Sequence, residues 1–313
     1  MNKVLLTGGT GMIGANLVHR LLAHGCELFV MARPESNRFR LHSVQSQIRI
    51  LEGDITDHKA VQEIILKTKP EVVFHLASTS FNPEALSAEI HFHVNVLGTL
   101  YVLEAMKSLK NSRLVFTSSA AEYGDEEHLR EDSCVRPGTI LGASKAAATT
   151  LIKTFARLYG LKGVVLRLFT PYGPWELNRR LIPHTILSAL QNKEVTLSEG
   201  RQKRDFIFMD DVVDALIAAA TEPVEPGSLF NIGSGESTSV REIVERTLKL
   251  MGNPVKMRVG ALPTRPDEMM QMSADISLAA RQLGWKPQVN LEEGLRRTIR
   301  WFTEHHALAS QLV

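Results

Sequence analysis

The chain has 313 residues, a formal net charge of +2 and two cysteines, Cys26 and Cys134. That length builds one large domain or two modest ones, the near-neutral charge gives no electrostatic case for a nucleic-acid or membrane partner, and two isolated thiols read as reduced, not as a disulfide framework. No basic, apolar leader precedes the first strand and no stretch reaches the roughly 18 apolar residues of a membrane span, so a cytoplasmic location is expected.

Short apolar runs alternate with amphipathic stretches through the first half. Val4–Thr7 reads as a strand, Met12–His24 as a helix, and Glu27–Ala32 and Ile48–Glu52 as two further strands. Asp57 caps a helix that runs to Lys67. Val72–His75 is a fourth strand, Pro83–Leu109 holds a long helix, and Arg113–Thr117 is a fifth strand. A helix over Gly142–Leu158 and a sixth strand over Gly163–Leu168 complete the rhythm. This alternation predicts an α/β fold: a Rossmann-type doubly wound parallel sheet, with ligands at the carboxyl ends of its strands. After Leu168 the texture breaks at Pro171, Gly173, Pro174 and Pro183, marking a smaller α/β substrate-binding region. Phe206–Met209 and Asp210–Thr221 look again like a strand and helix of the main sheet. The division is therefore 1–168 plus 206–232 against 169–205 plus 233–313, the last piece ending in an amphipathic helix over Leu291–His305.

Thr7-Gly8-Gly9-Thr10-Gly11-Met12-Ile13-Gly14 follows a strand and opens a helix. Gly8, Gly11 and Gly14 permit a tight turn, close approach of a pyrophosphate and close packing of helix on sheet. The unpaired N–H groups of the helix start favour an anion. At the end of the second strand, Ala32 stands where NAD sites usually place an acid for the ribose 2′-hydroxyl. Arg33 follows, with Arg38 nearby, which favours the 2′-phosphate of NADP while leaving NAD possible. Glu35 is an alternative partner for Arg33. His75, His91 and His93 read as packing or surface groups, and no histidine–carboxylate cluster has metal-ligand spacing.

Ile140-Leu141-Gly142-Ala143-Ser144-Lys145 resembles the Tyr-x-x-x-Lys segment of the extended short-chain dehydrogenases, with Leu141 at the tyrosine position. Arg204-Asp205-Phe206 through Asp211-Val212-Val213-Asp214 and Arg265-Pro266-Asp267 resemble motifs of the nucleotide-sugar epimerase, dehydratase and reductase group of that family, and the likeness covers both halves of the chain. The resemblance implies hydride transfer at C4 of a nucleotide-diphosphate sugar. It implies cofactor contacts from Gly8, Thr10, Gly11, Met12, Ile13, Gly14, Arg33, Asp54, Ile55, Leu76, Ala77, Ser78, Asn95, Thr117, Lys145, Phe169 and Pro171. It assigns the substrate to Ser119, Thr170, Tyr172, Arg179, Arg180, Arg204 and Arg265, the arginines meeting the diphosphate. Asn231 is read as structural. Relatives in the family pair as homodimers through a four-helix bundle, a role open to the helices in Pro83–Leu109 and Gly142–Leu158.

The catalytic set departs from the family pattern. Ser119 stands at the hydroxyl position and Lys145 is present, but an isobutyl group cannot exchange the proton that a phenol would. Ala120-Ala121 replace the Asp-Glu pair of the 4,6-dehydratases and resemble the pair usual in 4-epimerases, whereas Glu122-Tyr123-Gly124 resembles 4-keto-sugar reductases. Tyr123, Glu122 (if burial raises its pKa) and a water held by Ser119 and Lys145 are the candidate replacement acids. A ketone reduction needs one proton delivered and an epimerisation needs it removed and returned. The expectation is therefore a 4-keto-sugar reductase, with a 4-epimerase and a degenerate cofactor-binding sensor or assembly subunit as rivals.

Overall fold

The computed structural model describes residues 1–79, 87–264, 268–309 and 312. Seven parallel strands form the central sheet: β1 (Lys3–Thr7), β2 (Glu27–Ala32), β3 (Arg49–Glu52), β4 (Val72–His75), β5 (Arg113–Ser119), β6 (Lys162–Leu168) and β7 (Ser228–Ile232). Their order is β7-β6-β5-β4-β1-β2-β3. The chain winds outward from β1 to β3, then crosses back to β4 on the other side of β1. The switch point therefore lies between β1 and β4, where ligands of such sheets bind. The strands are apolar on both faces because helices cover both. One core layer packs Val4, Leu6 and Val30 with Leu17 and Leu21, and the opposite layer packs Leu5, Phe29 and Val73 with Val102 and Ile152.

The covering helices are α1 (Met12–Ala23), α2 (His58–Thr68), α3 (Ala88–Phe92), α4 (Gly98–Met106), α5 (Ile140–Tyr159) and α7 (Met209–Thr221), whereas α6 (Leu181–Leu190) and α8 (Val240–Leu250) pack on each other in a separate cluster. Asp57 caps α2 through the N–H groups of Lys59 and Ala60, as the sequence suggests. The long helix expected over Pro83–Leu109 starts, among the described residues, at Ala88. It is interrupted at His93–Leu97 by one π-helical turn between α3 and α4. Such a turn inserts an extra residue into the ladder and often marks a functional position; here Asn95 lies at its centre. Among the described residues, no helix is long and apolar enough to cross a membrane.

Two details differ from the sequence reading. Phe206–Phe208 does not join the main sheet; it pairs in parallel with Thr170–Tyr172 in a separate two-stranded sheet. The seventh main-sheet strand is instead Ser228–Ile232, beside β6. Both segments are short and apolar, so local pattern alone does not decide which finds a partner in the large sheet. Another small pairing, Met272–Ala274 with Glu126–Leu129, ties the chain's last third to the loop after β5.

Candidate active site

Parallel register sets Thr7, Met31 and His75 side by side at the carboxyl ends of β1, β2 and β4. A cavity of about 890 Å³ opens there, lined by Gly8, Thr10, Gly11, Arg33, Asp54, Ile55, Leu76, Ala77 and Ser78 among others. All nine are residues the sequence reading assigns to a cofactor. The loop is built of glycine for steric reasons. Gly8 has φ +72, and a Cβ on it would lie 2.5 Å from Ala77 N; one on Gly14 would lie 2.3 Å from Gly8 O. Gly11 caps α1 without a side-chain bond. The first-turn N–H groups of Met12 and Ile13 are thus offered to an anion. Arg40, absent from the sequence reading, locks this loop from outside: buried, it donates to Thr10 O (3.3 Å) and Trp175 O (3.1 Å). Desolvation lowers its pKa to about 10.

Asp54 is fixed in the lining by accepting from Thr56 N (2.8 Å) and Oγ1 (2.7 Å). Arg33 pairs with Glu35 at 3.2 Å, both side chains more than half exposed, and Arg38 pairs with Glu52 at 3.1 Å. His75 is fully buried. Its Nδ1 meets Thr7 Oγ1 at 2.7 Å and its Nε2 meets Thr99 Oγ1 at 3.0 Å, while Thr99 Oγ1 donates to Asn95 O at 2.6 Å. Burial, aided by the Lys145 charge, lowers its pKa to about 3, so it serves as a neutral tie between β1, β4 and α4.

Asn95 is buried behind the cavity wall. Its Oδ1 accepts from Thr79 N and Ser78 Oγ, both at 3.0 Å. Its Nδ2 donates to Thr79 Oγ1 (3.0 Å) and Ser144 Oγ (2.9 Å), and Ser144 Oγ donates to Leu141 O at 2.8 Å. The amide orientation is forced, because Thr79 N can only donate. Asn95 thereby fastens the loop after β4 to the first turn of α5, the turn that carries Leu141.

That turn sits hard against the end of β5. A Cβ on Gly142 would lie 2.2 Å from Ala121 O, and Thr139 caps α5 through Gly142 N at 3.0 Å. Lys145 is buried; its Nζ donates to Thr117 O at 2.8 Å and lies 4.7 Å from the centre of the Phe116 ring. Burial lowers its pKa to about 8, with Glu122 acting in the opposite sense. Ser119 is half-buried at the strand end, its Oγ accepting from Ala121 N at 3.2 Å. That contact leaves its own proton to donate. Leu141 is half-buried as well.

The structure takes two proposed acids away from this group. Glu122 has no exposed surface: Oε2 accepts from Arg167 Nη2 (2.7 Å) and Nε (2.9 Å), and Oε1 from Thr149 Oγ1 (2.8 Å) and Ser118 Oγ. Tyr123 is 3% exposed; its hydroxyl donates to Asn231 Oδ1 at 2.8 Å, and Arg167 stands 4.3 Å from its ring centre. Burial pushes its pKa up to about 12. The 3-10 turn Ala120–Glu122 rotates both side chains into the core beneath the strand. Adjacency in sequence to Ser119 therefore does not become adjacency in the site.

Tyr172 is corrected in the same way. It is 1% exposed, packs against Phe206 and Phe208, and donates to Leu291 O at 3.3 Å, so it is a core residue and not a sugar contact. Thr170 and Pro171 are half-buried beside it, Phe169 is buried, and Thr170 N bonds Asp205 O at 2.9 Å. Arg204 is mostly buried and reaches Glu268 (2.5 Å) and Lys203 O (2.8 Å). Arg179 is exposed, and Arg180 contacts Glu176 at 3.4 Å. Arg265 lies outside the described residues. Asn231 is structural, as expected, donating to Leu129 O at 2.8 Å.

Against this geometry the chain was compared with known proteins. Residues 4–233 match the model of the NAD dependent epimerase/dehydratase family. The chain belongs to that family. A family member from Haemophilus influenzae, a dTDP-glucose 4,6-dehydratase, is 29% identical over 96% of this chain and 98% of its own. Among solved structures, the Thermotoga maritima UDP-glucose 4-epimerase with UDP-glucose superposes with a TM-score of 0.90 at 27% identity, covering 98% of this chain and all of the other. The Thermus thermophilus UDP-glucose 4-epimerase in complex with NAD gives 0.87 at 29% identity, covering 96% and 98%. The family's nicotinamide chemistry and the Rossmann-type sheet thus agree with the cavity at the β1–β4 switch point.

Proposed function

We propose that this family member transfers a hydride at C4 of a nucleotide-diphosphate sugar, acting as a 4-keto-sugar reductase with a proton donor other than tyrosine. The observation that carries this reading is the set at the end of β5: Ser119 and Lys145 in place, leucine at 141, alanines at 120 and 121. Without side chains that can protonate a leaving hydroxyl at 120 and 121, elimination of water is disfavoured. Without a phenol at 141, a reaction that must take and return the same proton loses more than one that only delivers it.

The residues fit a dinucleotide. Gly8 and the open first turn of α1 suit its pyrophosphate, Asp54 and Ile55 its adenosine, and Lys145, once released from Thr117 O, its nicotinamide ribose. A nicotinamide held there supplies the hydride. Ser119 donates to the reacting oxygen and so stabilises charge that builds on it. NADP is the preferred form, because no acid stands at Ala32 and the exposed Arg33–Glu35 pair is weak enough to open for a 2′-phosphate. Arg204 and Arg265 are assigned to the diphosphate.

A homodimer is proposed as the working form. Ile90, Phe92 and Leu97 on the α3–α4 segment and Leu158 and Tyr159 on α5 are exposed apolar side chains on the two helical segments that would pair. The deciding experiment for the function incubates the purified protein with NADPH or NADH and a panel of nucleotide-4-keto sugars, following cofactor absorbance and product stereochemistry. Stoichiometric cofactor oxidation with a C4 carbinol product supports the reductase. With nucleotide sugars that carry a C4 hydroxyl in place of the ketone, inversion at C4 without net cofactor turnover replaces it by a 4-epimerase.

A further inference from the structure

With Glu122 and Tyr123 turned into the core and Leu141 inert, the reading above lacks a side chain in the role of the missing phenol, and a water held by Ser119 and Lys145 is the rival source. The loop after β4 holds such a side chain. Thr79 lines the cavity, and its Oγ1 is 2.6 Å from Nδ1 of His91, a buried side chain one helical turn before Asn95. Asn95 Nδ2 donates to the same Thr79 oxygen at 3.0 Å. The chain of contacts continues through Ser144 to the backbone carbonyl of Leu141, so this hydroxyl and the tyrosine position are held by one network.

We propose that Thr79, recharged by His91, delivers the proton that the missing tyrosine would have supplied. The hydroxyl's geometry makes the direction of transfer depend on His91. When the imidazole is neutral with a lone pair on Nδ1, Thr79 gives its hydrogen bond to His91. When the imidazole is cationic, Nδ1–H donates to Thr79. The oxygen then accepts from both Asn95 and His91, and its own proton must go to a third acceptor. Thr79 lines the cavity, which offers that acceptor direction among the described residues.

The step balances within these groups. The sugar carbonyl carbon gains a hydride, with its electron pair, from the reduced nicotinamide that the reaction consumes, and the C=O π bond becomes a lone pair on oxygen. That alkoxide takes the Thr79 proton; Thr79 takes the Nδ1 proton; His91 is left neutral and regains a proton from solvent. Thr79 is the catalytic residue in this scheme and His91 the residue that sets its hydroxyl. Among the described residues, the charged groups about His91 are few. Glu89 and His93 on the same helical segment are exposed, and Lys145 on α5 turns its ammonium to Thr117 O. Burial lowers the His91 pKa, so its cation is a stronger donor when formed but less populated, and the relay is expected to strengthen as pH falls.

The test pairs substitutions with a measurement that needs no turnover. Thr79→Val and His91→Gln should each lower kcat by roughly 100-fold or more with KM changed by less than about threefold. Thr79→Ser should keep turnover within about tenfold of wild type, since it retains the hydroxyl. Adding Leu141→Tyr to His91→Gln should restore activity, because a phenol bypasses the relay. Exogenous imidazole should likewise restore His91→Gly. In the cofactor-free protein, the isotope-labelled His91 imidazole should change its titration midpoint by about half a pH unit or more in Thr79→Val. Wild-type rates in His91→Gln, or an unmoved His91 titration, overturn the relay. Loss of activity that neither Leu141→Tyr nor imidazole restores assigns His91 a structural role and overturns it too. A wild-type protein that transfers no hydride defeats the proposed function itself, and the relay with it.

Discussion

Arg167 and Glu122 meet inside the fold, with Nη2 2.7 Å and Nε 2.9 Å from the same carboxylate oxygen and neither side chain more than 4% exposed. The other carboxylate oxygen is taken by Thr149 and Ser118, and the guanidinium also covers the Tyr123 ring. This pair joins β6 to the turn after β5 and so fixes the turn that Ser119 caps. Removing one partner strands the other charge in a desolvated site. Glu122→Gln is expected to cost roughly 3–5 kcal/mol of unfolding free energy, and the double variant Glu122→Gln, Arg167→Met should recover most of it. Denaturant titration of the four proteins of the cycle checks this. Equal stability of Glu122→Gln and wild type would show that the pair does not hold the turn.

The cofactor preference turns on Arg33. Its pair with Glu35 is largely exposed and contributes little on its own. Arg33→Ala should therefore leave the melting temperature within a few degrees of wild type. It should raise KM for NADPH by about tenfold or more, the loss of one charge-assisted phosphate contact, while KM for NADH stays within about twofold. An equal change for both cofactors would mean that no 2′-phosphate is read here.

Much of the cofactor end was legible in the sequence because backbone geometry dictates it. Gly8 and Gly14 stand where a Cβ collides with backbone, and nine expected lining residues do line the cavity. The catalytic end was less legible. Glu122 and Tyr123 follow Ser119 after only two alanines, and nothing local says that a 3-10 turn will rotate them into the core; that depends on Arg167 and Asn231, 45 and 108 residues further on. His91 carried a readable signal, since four residues separate it from Asn95 and one helix face holds both. The interrupting π turn and the Thr79 contact exist only in three dimensions. Tyr172 misled because its motif follows the sheet edge, while its burial is decided by Phe206, Phe208 and the helix over Leu291–Glu304.

His75 makes stability depend on acid. Its pKa is about 3 in the fold against 6.5 for the free side chain, so the unfolded chain binds the extra proton over that interval. Its contribution is fully present above about pH 6.5 and is lost as pH falls towards 3, at up to about 1.4 kcal/mol per pH unit. Two measurements bear on this. The His75 ring resonances should not titrate between pH 8 and pH 5. Unfolding free energy at pH 4 should also fall below that at pH 6 by more than exposed histidines explain. A His75 resonance with a midpoint near 6.5 would refute both.

Glu176 acts with the opposite sign. It is buried between the loop after β6 and α6, one oxygen contacts Arg180 at 3.4 Å, and among the described residues the other has no hydrogen-bond partner. Burial raises its pKa from 4.5 to about 7. The folded state therefore holds the extra proton between those values, and stability declines as pH rises from about 4.5 to about 7, remaining low above. Glutamine keeps the shape without the charge. Glu176→Gln should gain on the order of 1–3 kcal/mol at pH 8 and nothing at pH 4.5, where the wild-type carboxyl is already neutral. In the interval where both groups titrate, their slopes oppose, so the wild-type profile is flatter than either alone. Glu176→Gln removes one of the two and should steepen the remaining acid limb. A gain that is the same at both pH values would point to repacking, and a loss at pH 8 would show that the Arg180 contact outweighs the burial of the charge.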